Sequence, residues 1–122
     1  MIAFKLLIVL SLLNLGRAQN WCGLFSTSQS TCNPSVCCCI QQWFRISVPY
    51  PFTETRLQLQ FGGVCPPNAN LNIDVRVPRL TGFTTTIPIF TQQIQLTLSQ
   101  DSCRITSSGP NPVCNEQLIR II

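Results

Sequence analysis

The chain of 122 residues contains no histidine, and its one lysine, Lys5, lies in the first apolar stretch. Beyond that stretch both residue types are absent, which excludes Ser/His/Asp and Cys/His nucleophile pairs, Ser/Lys dyads, Schiff-base chemistry and histidine metal sites. Acids are scarce too: Glu54, Asp74, Asp101 and Glu116 are the only four. A carboxylate pair is the one catalytic device left, but scattered acids in so small a chain read as solvated surface, and no enzyme is expected. Basic runs are missing. Arg45, Arg56, Arg76, Arg79, Arg104 and Arg120 stand singly, which argues against nucleic acid and heparin-like partners. Gly62 and Gly63 lack the Gly-Lys-Ser/Thr continuation of a phosphate loop and read as turn chemistry. No Asn-x-Ser/Thr glycan acceptor occurs, since Asn33 is followed by proline.

Long apolar runs are also lacking. The one at the start, Leu6 to Leu15 behind Lys5, is too short to span a bilayer, which needs about 20 apolar residues, and fits a secretory signal. Gly16 and Ala18 supply the small residues for cleavage after Ala18, so residues 1–18 are read as a signal peptide and 19–122 as a single secreted domain. Its net charge is 6 − 4 = +2, from six arginines and four acids. Stable membrane insertion is not expected, and no basic amphipathic helix is present to lyse one.

What the sequence does have is cysteine. Cys22, Cys32, Cys37, Cys38, Cys39, Cys65, Cys103 and Cys114 are an even set in a chain bound for an oxidising compartment, so disulfides are expected at all eight. Adjacent residues on an extended chain point to opposite faces, so each of Cys37, Cys38 and Cys39 requires its own distant partner. That leaves about 60 of the 105 possible connectivities. A metal site is disfavoured by the lack of histidine, of C-x-x-C and of a second thiolate pair, and neither a metal nor another cofactor is expected.

The rest of the chain alternates. Val36, Cys38, Ile40, Phe44, Ile46 and Val48 share one parity, broken at Gln42; Cys38 therefore faces the core, and Cys37 and Cys39 face away. Leu57, Leu59 and Phe61 mark a second strand, Leu71 to Val77 a third, Ile94 to Leu98 a fourth, and Cys103 with Ile105 a further one. Residues 83–90 favour strand, but Pro88 cannot donate to a ladder and confines them to an edge. Residues 115–122 suit either a short helix or a last strand, and 20–34 read as a loop pinned by Cys22 and Cys32. Pro, Gly and Asn clusters fall between the runs. The expected fold is all-β: a small, disulfide-stapled antiparallel β-sandwich or barrel.

Three residues are candidates for contact. Trp43 and Arg45 share the outward parity, and such pairs are enriched at binding hot spots; alternatively Trp43 packs over the Cys37 and Cys39 disulfides as a second small core, the commoner fate of tryptophan. Tyr50, held between Pro49 and Pro51, is either a presented aromatic or an edge breaker. The other outward positions are Gln, Asn, Thr and Arg, without the lysines that discourage strand edges from associating, so self-association is expected. These features suit a secreted, non-enzymatic protein acting by extracellular contact, as a binding module or an effector such as a toxin or defence protein. Its partner would be an extracellular protein, carbohydrate or matrix component. The alternatives are a structural component of an extracellular matrix or secretion, and a carrier of a small apolar ligand, which requires a cavity of roughly 300 Å³ or more.

Overall fold

Strand alternation needs a partner face, and here one sheet supplies it by curling on itself. The structure, a computed structural model, describes residues 20–122, so the expected signal peptide at 1–18 lies outside it. Eight strands follow along the chain: β1 (Gly23–Ser26), β2 (Cys38–Ser47), β3 (Glu54–Gly63), β4 (Asn72–Pro78), β5 (Thr84–Ile89), β6 (Gln92–Leu98), β7 (Arg104–Ser108) and β8 (Glu116–Arg120). They pair antiparallel in the order β4-β3-β2-β1-β8-β7-β6-β5, a nearly closed barrel with β4 and β5 as its edges. Among the described residues there is no α-helix, only a 3-10 turn at Pro112–Cys114. The all-β fold takes the barrel form of the two expected.

The interior is the sum of the inward parities. Phe25, Phe44, Ile46, Leu57, Leu59, Ile87, Leu96, Leu98, Ile105 and Leu118 are all buried in one cluster, each side chain contributing about 1.5 to 3 kcal/mol by leaving water. β5, carrying Pro88, is an edge as expected. β4 is the other edge. Its Ile73 and Val77 are half-buried and Val75 is exposed, because a strand with a neighbour on one side only is less covered. Residues 116–120 form a strand rather than a helix, paired to both β1 and β7.

Two segments differ from expectation. Residues 20–34 are not all loop: β1 lies in the middle of the sheet, between β2 and β8. Four residues with one inward apolar side chain, the fully buried Phe25, are too few to alternate visibly. In β2, Gln42 adopts a left-handed backbone (φ 63°) at a bulge. Ile40 pairs with Phe61 and Phe44 with Leu59, so β2 spends four residues where β3 spends two. The excess is even, and inward parity therefore survives across the break.

Candidate functional site

The triple cysteine sits at one end of the barrel, where β2 begins and β3 ends. Each of the three has its own partner: Cys32–Cys39, Cys37–Cys114 and Cys38–Cys65, with Cα separations of 6.0, 5.6 and 4.6 Å. Cys38 packs against the core cluster as expected. Cys37 and Cys39 are nevertheless buried, because their disulfides draw the segments of Cys114 and Cys32 over them. Gly63 closes β3 beneath this knot at φ 98°; a Cβ there would stand 2.5 Å from the Cys37 carbonyl oxygen and 2.7 Å from that of Pro34. Only glycine fits such a position.

Around the knot the barrel end opens into a cavity of about 400 Å³. Its walls come from around the start of β2 (Cys37, Cys38), around the end of β3 (Phe61, Val64, Cys65), the β5–β6 hairpin (Ile89, Phe90, Ile94), and β7, β8 and the segment between them (Ser107, Gly109, Cys114, Glu116). The lining is mainly apolar, and two of the three disulfides are part of it. Phe90 has a left-handed backbone (φ 57°), uncommon for a bulky residue. Its ring meets Phe61 at 5.4 Å between centroids, which joins the β5–β6 turn to β3 across the sheet's open seam.

Glu116 is the one charged residue of this wall. It is 4% exposed, contrary to the expectation that all four acids are solvated. One carboxylate oxygen accepts from the Ser30 hydroxyl at 3.2 Å and the other from the Ile40 backbone N–H at 2.9 Å. Burial raises its pKa above the ordinary value of 4.5, and the two hydrogen bonds oppose that rise. The Cys32 and Cys39 sulfurs lie within 4.8 Å of the carboxylate, but they are bonded to each other and offer no thiolate for a metal. Asp74, by contrast, is exposed and pairs with Arg56 at 2.6 Å, which holds its pKa down.

At the opposite end stand Cys22 and Cys103, both exposed with free thiols. Six of the eight cysteines are therefore bridged, where eight were expected. The Arg120 guanidinium donates to the carbonyls of Asn20, Cys22 and Ser102, and the Cys103 thiol donates to the Asp101 carbonyl at 3.4 Å. Trp43 is 40% exposed and faces out on β2 with the Arg45 guanidinium 5.9 Å from its ring; it does not form a buried second core over the disulfides. Tyr50 is 84% exposed in the β2–β3 turn, its ring edge-on to Phe52 at 5.7 Å. Trp43 and Arg45 thus form a pair that does not include Tyr50. No protein-family model, curated protein or solved structure matches this chain.

Proposed function

We propose that the mature chain is a secreted, non-enzymatic β-barrel that carries a small apolar ligand in the pocket at its cysteine-rich end. The observation behind this is the cavity itself. Its volume of about 400 Å³ falls within the range of small-molecule sites, roughly 300 to 1,000 Å³, and its lining of apolar side chains with a few polar groups is typical of them. Two disulfides fix the rim, so the site is formed before a ligand arrives and little ordering opposes binding. The three bridges suit an oxidising extracellular setting. Without histidine or lysine in the mature chain, the pocket is a place to hold a molecule and has no ready means of converting it.

Titration with the neutral fluorophore N-phenyl-1-naphthylamine tests the proposal. Saturable one-to-one binding is expected, with loss of binding in Ile94→Trp, which fills the mouth from a half-buried position. Lipid or another apolar molecule should also leave with the protein purified from its natural fluid. Absence of probe binding by the folded protein would refute the carrier role. A second function, contact with an extracellular partner, is favoured by the exposed Trp43–Arg45 pair. In that case Trp43→Ala would abolish activity and Ile94→Trp would not.

A further inference from the structure

Glu116 tells more about the ligand than the pocket's size does. In the β7–β8 ladder Glu116 stands opposite Ser107 and Leu118 opposite Ile105. Side chains two apart on a strand share a face, so Glu116 points the same way as the fully buried Leu118, into the barrel. It is the one charged residue in a wall that includes Phe61, Ile89, Phe90 and Ile94 together with the neutral polar Gln92, Ser107 and Asn111. Both of its hydrogen-bond donors, the Ser30 hydroxyl and the Ile40 N–H, are neutral. The one ion pair among the described residues joins Arg56 to Asp74 on the exterior. Glu116 therefore has no cation, although a carboxylate accepts about four hydrogen bonds and these two donors use about half of that capacity. A charge withdrawn from water is costly unless it is paired.

We propose that the ligand supplies the missing cation: the pocket selects an apolar amine, its ammonium group donating to Glu116 and its hydrocarbon body lying against Phe61, Ile89, Phe90 and Ile94. This inference rests on the pocket being a ligand site. An alkylammonium keeps its proton at neutral pH, as the lysine side chain does, and its N–H donors form charge-assisted bonds to a carboxylate. A carboxylic acid of the same length would meet like charge and be rejected.

Displacement of N-phenyl-1-naphthylamine by decylamine, decanol and decanoate at pH 7 provides the test. Decylamine is expected to bind at least about tenfold more tightly than decanol, and decanoate most weakly. In Glu116→Gln, whose amide oxygen still accepts from Ile40, the preference for decylamine should vanish while decanol keeps its affinity. Ser30→Ala removes a neutral donor and leaves the charge, so it should retain the preference; it also serves if Glu116→Gln does not fold. Equal binding of amine and alcohol by the unmodified protein would overturn the inference, as would a preference that persists in Glu116→Gln or is lost in Ser30→Ala. Those results leave the carrier role standing. A probe that does not bind at all removes both.

Discussion

The disulfides allow a controlled comparison, because two of them match in burial and differ in the length of chain they close. Cys37–Cys114 and Cys32–Cys39 each join one buried cysteine to one half-buried cysteine, but their sequence separations are 77 and 7. Replacing either pair by alanine removes similar sulfur contacts, and the cost should then follow the freedom returned to the unfolded chain. With Cys38–Cys65 intact, the longer loop is shortened to roughly 50 residues, and chain-entropy arithmetic gives about 4 kcal/mol for its bridge against about 2 kcal/mol for the seven-residue one. In a domain of this size the difference corresponds to roughly 10 °C in Tm. Urea and thermal unfolding followed by tryptophan fluorescence measure it directly: Trp21 is buried and donates from its indole to the Gly82 carbonyl at 2.8 Å, so its emission reports loss of the barrel. Equal destabilisation by the two double variants, or a greater loss from Cys32→Ala/Cys39→Ala, would refute the entropic account and place the stabilisation in native packing around Cys39.

Other perturbations probe the same framework. Because burial raises the Glu116 pKa above 4.5, the folded protein holds this proton at a pH where the unfolded chain has lost it; the group's cost is absent below about 4.5 and grows as pH rises through the raised value. Glu116→Gln should remove that decline in melting temperature, and since Asp74 and Asp101 are held below 3.8 they titrate outside the window; a variant with an unchanged slope would contradict the assignment. Gly63→Ala should cost more than about 1 kcal/mol, since φ is positive and backbone oxygens of Cys37 and Pro34 block the Cβ; a neutral result in urea unfolding would count against the packed knot. Leu57→Ala, fully buried, should cost about 2 to 5 kcal/mol, and Val75→Ala on the edge strand under about 1. Similar losses at both positions would place the core elsewhere.

Much of the barrel is legible in the sequence because a strand's register is physical and local. Leu57, Leu59 and Phe61 alternate in the sequence and are all buried in β3, and Pro88 excludes β5 from the sheet's interior before any topology is known. β1 is illegible for the converse reason: its four residues earn their central place through backbone pairing to β2 and β8, and backbone groups carry no sequence signature. The unbridged cysteines follow from tertiary geometry too. Even cysteine number predicts complete pairing only if the fold brings every sulfur to bonding distance of another, which no local pattern encodes.

The pocket was hidden because no segment contains it: its walls come from β2, β3, the β5–β6 hairpin and the β7–β8 pair, which the closing of the sheet and the disulfides bring together. Glu116 was hidden too, because Leu118 and Ile119 put an apolar residue on each parity and leave the inward face of this run undecided in the sequence. In β8, Glu116 and Leu118 are buried on one face, whereas Gln117 on the other is exposed. An acid on the inward parity conflicts with a purely structural strand. Such a conflict between a residue and its position marks the place where function competes with stability. Within this barrel it coincides with the cavity wall, and under the proposed carrier role the residue that least suits the interior is the one that would most restrict what the interior holds.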